Sequence, residues 1–217
     1  MKIGLLGGTF NPIHIAHLRI AEEARESCFL DQILFIPAAA PPPKAMRGDV
    51  SFAHRCAMTR LAVAGNPAFA VTDLEGQRSG ASYSVDTLAL LRAADPQKEY
   101  FFIVGMDSYL ELHTWKDYPL LFELAHFIVA GRPGYASESS FHELLPIAVR
   151  PQFCYDGTPR RLRHKSGNKL IFLEETMLDI ASRKIRQLLS QKRSIRYLVP
   201  DPVVAYIHNH RLYPSGH

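Results

Sequence analysis

The stretch Ile3-Gly4-Leu5-Leu6-Gly7-Gly8-Thr9-Phe10-Asn11-Pro12-Ile13-His14-Ile15-Ala16-His17-Leu18 runs from a short apolar segment through a glycine turn into a helix start with two histidines. Residues 3–6 have the length and apolar character of a strand buried on both faces. Gly7-Gly8-Thr9 lets the backbone approach a ligand with no Cβ in the way. A helical pattern begins near Ile13. The first turn of a helix leaves N–H groups unpaired and carries the positive end of the helix dipole, so an anion is stabilised there before any side chain contributes. His14 and His17 are three apart and share one face of that turn. Taken singly, a Gly-Gly pair is ordinarily a turn, and paired histidines are ordinarily solvated or packed. Their order behind an apolar strand, with Thr9 and Phe10-Asn11-Pro12 between, reads as a nucleotide phosphate site.

A chain of 217 residues, 47% hydrophobic and 21% charged, can bury one sizeable core and stands near the upper end for a compact domain. One domain is expected over 1–217, with a helical C-terminal part at about 176–212. No apolar run approaches the ~18 residues needed to cross a bilayer, and the first residues lack the basic, apolar and small-residue segments of an export signal. The expectation is a cytoplasmic protein with no membrane partner. Cys28, Cys56 and Cys154 have neither zinc-site spacing nor a disulfide framework, so they are expected as buried or half-buried thiols, and no protein metal site is expected. A net charge of +4 and a pI of 9.0 suit an anionic partner. Much of the basic excess lies in 160–165 and 183–196 without interleaved aromatic residues, which favours a solvated surface or a triphosphate site over nucleic acid. The oligomeric state is not fixed by the sequence, and a homo-oligomer is compatible with it.

Further along, apolar runs and helical patterns alternate. Strands are expected at 2–6, 32–36, 69–72, 100–104, 126–130 and 169–173, and helices at 15–28, 51–64, 84–93, 108–112, 120–124 and 137–145. Alternation of this kind implies right-handed crossovers and an α/β fold, a Rossmann-like, open, doubly wound parallel sheet. Ligands of such sheets bind beyond the carboxyl ends of the strands, where the glycine turn lies.

Four later stretches add candidates. The connection 37–50 is stiffened by prolines and carries Lys44 and Arg47 on an extended path; alone it reads as a surface loop with two cations. Residues 80–88, Gly-Ala-Ser-Tyr-Ser-Val-Asp-Thr-Leu, read as a loop feeding a helix capped by Ser82 or Ser84, with N–H groups suited to a carboxylate. In 101–116 a strand runs into Gly105 and Asp107, a carboxylate placed for ribose hydroxyls, for a hydrated metal or simply for a helix cap. Trp115, the only tryptophan, reads alone as a packing or lid residue. In 178–189 Ser182 reads as an N-cap ahead of an apolar face of Ile185, Leu188 and Leu189, and a hydroxyl with Arg183 and Arg186 suits polyphosphate.

With these residues in view, the chain resembles the nucleotidyltransferase superfamily with a His-x-x-His signature and, within it, is most similar to the bacterial nicotinate-nucleotide adenylyltransferases. The family pattern G-G-T-F-D/N-P-x-H-x-G-H-L is matched by Gly7, Gly8, Thr9, Phe10, Asn11, Pro12, His14, His17 and Leu18, with Ala16 at the usual glycine. In the P-P-H-K segment Pro43 replaces the histidine and Lys44 is kept. The S-Y-T/S-x-D-T-L segment is matched at Ser82, Tyr83 and Ser84, and the G-A/M-D-S segment at Gly105 and Asp107, with Met106 between. I-S-S-T-x-I-R is matched by Ile180, Ser182, Ile185 and Arg186, with Ala181 and Arg183 departing from it. Residues 196–206 resemble the family's closing segment, so the likeness covers nearly the whole chain.

The resemblance implies that the phosphate of nicotinate mononucleotide attacks the α-phosphorus of ATP in line. The products are nicotinate adenine dinucleotide and pyrophosphate, a step of NAD biosynthesis that needs no nucleophilic side chain. His14, His17 and the Gly8–Thr9 backbone would meet the α- and β-phosphates. Lys44 and Arg186 would stabilise the departing pyrophosphate, with Mg²⁺ bridging phosphate oxygens. Gly7, Phe10, Gly105, Asp107 and Ser182 would complete the ATP site. The Tyr83–Ser84 backbone would hold the nicotinate carboxylate and Trp115 would stack on the pyridine ring. The rivals are other acceptors, nicotinamide mononucleotide or phosphopantetheine, and a non-catalytic nucleotide sensor. The Ser-Tyr-Ser segment and the Trp115 region argue against phosphopantetheine, and the intact candidate set against a sensor.

Overall fold

The computed structural model describes residues 1–40, 50–131, 141–173, 176 and 178–214. The strands are β1 (Lys2–Gly8), β2 (Gln32–Pro37), β3 (Phe69–Val71), β4 (Glu99–Gly105), β5 (His126–Ala130), β6 (Phe153–Asp156), β7 (Thr158–His164) and β8 (Lys169–Leu173). The helices are α1 (Ile15–Ser27), α2 (Phe52–Val63), α3 (Ser84–Ala94), α4 (Met106–Leu110), α5 (Tyr118–Leu124), α6 (Ser182–Ser190) and α7 (Asp201–Asn209). The strands form one mostly parallel sheet in the order β3-β2-β1-β4-β5-β8-β7-β6, the expected Rossmann-like class. Its order reverses between β1 and β4, the point at which such sheets open a crevice beyond their carboxyl ends.

The chain packs as two units. The first comprises Met1–Gly7, Ile20–Ile33 and Tyr83–Met177. Here β1 pairs parallel with β4 from Lys2↔Glu99 to Leu6↔Ile103, β4 with β5 from Phe101↔His126 to Gly105↔Ala130, and β5 with β8. These strands are continuous apolar runs because both faces are covered: Leu5, Phe127, Ile128, Val129 and Leu170 are fully buried. Gly4 marks a close approach, since a Cβ there would fall 2.4 Å from Ile33 and 2.9 Å from Leu30.

Two elements of this unit differ from expectation. β6 and β7 form an antiparallel hairpin on β8 that the apolar-run criterion passes over. β7 reads Thr-Pro-Arg-Arg-Leu-Arg-His, and the basic cluster at 160–165 is a strand with one face inward: Leu162 and His164 are buried while Arg161 and Arg163 are exposed. His164 is held by Ser166 at 2.8 Å and Gln152 at 2.9 Å. The helix expected at 137–145 is not found in its described part, where 141–145 form turns; 137–140 lie outside the described residues. Cys154, expected to be at least half-buried, is exposed on β6, beside buried Phe153 on the strand's inward face.

The second unit comprises Gly8–Arg19, Leu34–Ser82 and Leu178–His217. α2 is capped at Ser51, whose side chain accepts from the His54 N–H at 3.4 Å, and packs on β3 and α7 through buried Cys56, Met58 and Thr59. Phe35 lies between Phe10 at 6.0 Å and Phe69 at 5.2 Å, ring centre to ring centre. Ile185 of α6 and Val203 and Ile207 of α7 are buried on the inward faces of the two helices.

Candidate active site

The second unit shapes Gly8–His17 into a loop whose carbonyls are turned into the protein. The Gly8 carbonyl accepts from the Ala38 N–H at 2.9 Å and the Thr9 carbonyl from Arg55 Nη1 at 2.7 Å. The Asn11 carbonyl accepts from Arg186 Nη1 at 2.7 Å and the Pro12 carbonyl from Ser182 Oγ at 2.9 Å. The Asn11 side chain, itself buried, accepts from the Tyr213 hydroxyl at 2.6 Å. A peptide unit is planar, so in a trans unit the N–H points opposite to its carbonyl. Drawing the Gly8, Thr9 and Pro12 carbonyls inward therefore aims the N–H groups of Thr9, Phe10 and Ile13 the other way. Oxygen atoms that would repel an anion are withdrawn, and donors are presented.

The two histidines lie where α1 begins. His14 is buried just ahead of the helix, and its ring stacks on His17 at 3.6 Å between centroids and 24° between planes. The His14 N–H points at His17 Nδ1 at 3.2 Å, and Phe10 presses edge-on against the same ring at 5.1 Å. Desolvation, and after it the neighbouring His14, holds the His17 imidazole well below its ordinary pKa. His17 is thus neutral near pH 7. Because Nδ1 accepts, the ring proton sits on Nε2, which is left as a donor. Phe10 adopts φ +47° with 2% exposure, a left-handed conformation sustained by packing around its ring. Ala16, in place of glycine, is buried at 5% exposure.

α6 does not start as the sequence suggests. Ser182 is its first helical residue, Ala181 occupies the N-cap, and no side chain caps the end. The Ser182 hydroxyl instead donates to the Pro12 carbonyl, a partner 170 residues away and invisible to a local cap rule. Lys44, with Pro43 and Arg47, lies outside the described residues.

The first unit holds the remaining candidates. Gly7 is the last residue but one of β1, Gly105 ends β4, and Asp107 is exposed in the first turn of α4. Tyr83 is the extended N-cap of α3 and Ser84 its first residue; neither Ser82 nor Ser84 supplies a side-chain cap. Thr87 closes the turn onto the Tyr83 carbonyl through its N–H at 3.2 Å and its hydroxyl at 3.3 Å. Lys116 was not singled out from the sequence. Its ammonium lies 4.8 Å from the centre of the Tyr83 ring and pairs with Asp86 at 3.0 Å, which ties the start of α3 to the segment carrying Trp115. Trp115 stands edge-on to Phe102 at 6.3 Å. Arg55 and Tyr213 were also missed: an arginine within a helix of mixed character and one aromatic residue in a tail carry no periodic signal. Among the described residues there is no group of three or more His, Cys, Asp or Glu able to hold a metal ion, and no helix long and apolar enough to cross a membrane.

The cytidylyltransferase-like family matches residues 5–188. A protein of Syntrophotalea carbinolica, named a probable nicotinate-nucleotide adenylyltransferase, is 59% identical over 99% of this chain and 98% of its own length. A namesake from Geobacter sulfurreducens is 54% identical over 98% of each. Among solved structures, the Plasmodium falciparum nicotinic acid mononucleotide adenylyltransferase complexed with NaAD shares the fold at a TM-score of 0.75, with 19% identity over 98% of this chain and 97% of that one. A full-length likeness of this strength, on a chain whose first strand ends in the glycine loop and stacked histidines, makes it a member of the cytidylyltransferase-like family and, within that, of the nicotinate-nucleotide adenylyltransferases.

Proposed function

We propose that the chain joins ATP to nicotinate mononucleotide in the cytoplasm, giving nicotinate adenine dinucleotide and pyrophosphate, in a step of NAD biosynthesis. The observation that carries the reading is the Gly8–Pro12 loop, with four carbonyls bonded inward beside the stacked His14–His17 pair. A phosphate oxygen of the mononucleotide attacks the α-phosphorus of ATP, and the bond to the bridging oxygen breaks. Pyrophosphate then leaves with the electron pair. The attacking group is already an anion, so no base is needed, and the protein's work is to position two polyanions and neutralise developing charge.

His17 Nε2–H, the Thr9 and Phe10 N–H groups and Gly8 serve the α- and β-phosphates, with His14 orienting His17 through its backbone N–H. Arg186 holds Asn11 with one nitrogen and has further donors for the departing pyrophosphate, a role shared with Lys44. Ser182 acts on the loop through Pro12. Gly7, Gly105 and Asp107 serve the nucleoside part of ATP. The α3 start at Tyr83 and Ser84 reads the nicotinate carboxylate, which accepts two N–H bonds where an amide would bring a repelling donor. Trp115 stacks on the pyridine ring.

The groups the loop presents are the N–H donors of Thr9, Phe10 and His17 Nε2, with the remaining Arg186 donors beside them. They fit phosphate oxygens and form no cage for a cation, so Mg²⁺ would enter on ATP, keep its water and phosphate ligands, and supply charge neutralisation there. The test is pyrophosphate release from ATP and Mg²⁺ with nicotinate mononucleotide, nicotinamide mononucleotide or phosphopantetheine. Release with nicotinate mononucleotide alone supports the reading. Release only with another acceptor keeps the nucleotidyltransferase site and removes the substrate assignment.

A further inference from the structure

Arg55 is a large, fully buried side chain, 1% exposed, on α2. A cation is costly to bury, and a position that only needed filling is served as well by an apolar side chain. Its guanidinium donates to the Thr9 carbonyl at 2.7 Å and reaches the Ala39 carbonyl at 3.4 Å, with the Phe52 ring 5.6 Å from its central carbon. The helix under it is fixed at its start by the Ser51 cap, and one turn on by the Thr59 hydroxyl, which donates to the Arg55 carbonyl at 2.8 Å.

We propose that Arg55 is a positioning residue of the phosphate loop, which aims the Phe10 N–H at the nucleotide by holding the Thr9 carbonyl from behind. The peptide between Thr9 and Phe10 is planar, so the direction of its carbonyl sets the direction of its N–H. Phe10 follows at φ +47°, a conformation a non-glycine residue leaves unless its surroundings fix it. The Arg55 bond fixes the peptide on its amino side, while Gly8 and His17 pack on its ring. The guanidinium also places a positive charge behind an anion site, and its burial leaves that field little screened.

This inference rests on reading Gly8–His17 as the phosphate site, and the experiment separates the two. Arg55→Lys keeps the charge and loses the fork; Arg55→Met keeps the bulk and loses both. Amide hydrogen exchange at Thr9 and Phe10 is followed in each full-length variant, beside KM and kcat for both substrates. With saturating ATP bound, exchange at Phe10 is expected to quicken at least tenfold in Arg55→Met relative to the wild type, while the α2 and β4 amides stay protected. KM for ATP should rise about tenfold, KM for nicotinate mononucleotide should stay within twofold, and Arg55→Lys should lie between. Unchanged Phe10 exchange in a folded variant overturns the proposal. So does an equal rise in both KM values, or failure of both variants to fold, each of which marks Arg55 as structural only. If the wild type makes no pyrophosphate, the functional reading fails, and Phe10 exchange still decides the role of Arg55.

Discussion

Replacing Gly8 with alanine tests the loop most sharply, because the backbone permits alanine and the packing does not. The φ of Gly8 lies outside the left-handed region, so no conformational strain is added. A Cβ there would stand 2.9, 3.0 and 3.3 Å from three atoms of the Phe10 ring. That ring cannot step aside: it is 2% exposed and packs against Phe35 at 6.0 Å and His17 at 5.1 Å. Forcing a methyl into such a space costs about 1–3 kcal/mol. At roughly 2–4 °C per kcal/mol for a chain of this size, the unfolding midpoint should fall by about 6 °C. Gly7→Ala is the matched control. Gly7 is exposed, and among the described residues its Cβ would meet only Phe102, at an ordinary 3.8 Å. Scanning calorimetry of the two variants is the assay, with pyrophosphate release measured well below both midpoints. Displacing Phe10 also displaces His17, so Gly8→Ala should lose more than tenfold in turnover while still folded, a loss of over about 1.4 kcal/mol in transition-state stabilisation. A Gly8→Ala midpoint within a degree of Gly7→Ala would refute the packing argument.

Three other outcomes follow from the same geometry. The unfolded chain binds a proton at His17 near the ordinary value of 6.5 and the folded chain only at lower pH, so stability should be full above about pH 7 and fall as pH drops through 6.5 toward the folded value. Melting curves at pH 7.5 and 5.5 should show a smaller acid loss in His17→Asn than in the wild type. Arg186→Lys replaces a guanidinium that holds the Asn11 carbonyl with one nitrogen and has further donors by a single point charge, so kcat should fall at least about tenfold, the size of one lost charged hydrogen bond, at an unchanged fold by circular dichroism. Lys116→Met breaks an exposed pair with Asp86 and should move stability by less than about 1 kcal/mol, while raising KM for nicotinate mononucleotide several-fold and leaving KM for ATP alone; equal changes in both would exclude Lys116 from the acceptor side.

The parallel strands were legible because burial on both faces makes each an unbroken apolar run, as in Ile3 to Leu6 or Phe127 to Ala130. The hairpin of β6 and β7 was not, because only alternate residues of β7 face inward. Leu162 and His164 do so, and the arginines beside them resemble a charged surface segment until the pairing with β8 is known. The turns at 141–145 were mistaken for helix for a related reason. Apolar residues such as Phe141, Leu144 and Leu145 recur at helical spacing, while Arg150 takes the Glu143 and Leu145 carbonyls at 2.6 and 3.0 Å, a demand that spacing cannot reveal.

Residues that face a ligand and residues that shape the loop behind it obey different constraints on sequence distance. Gly8, Thr9 and the histidines of the second unit must share one short turn, so they form a contiguous motif that a reader can find. The groups that draw its carbonyls inward need only arrive from somewhere. Arg55 comes from 46 residues away, Ser182 from 170 and Arg186 from 175, and Tyr213, which holds the Asn11 side chain, from 202. Ser182 and Arg186 were noticed because a hydroxyl and an arginine at a helix start suit polyphosphate, yet the structure gives each of them a bond to the Asn11–Pro12 turn. Nothing in the sequence marks Arg55 or Tyr213, since neither stands in a pattern. What distinguishes Arg55 is that a guanidinium lies in a place with 1% exposure, and such a contradiction becomes visible only once burial is known.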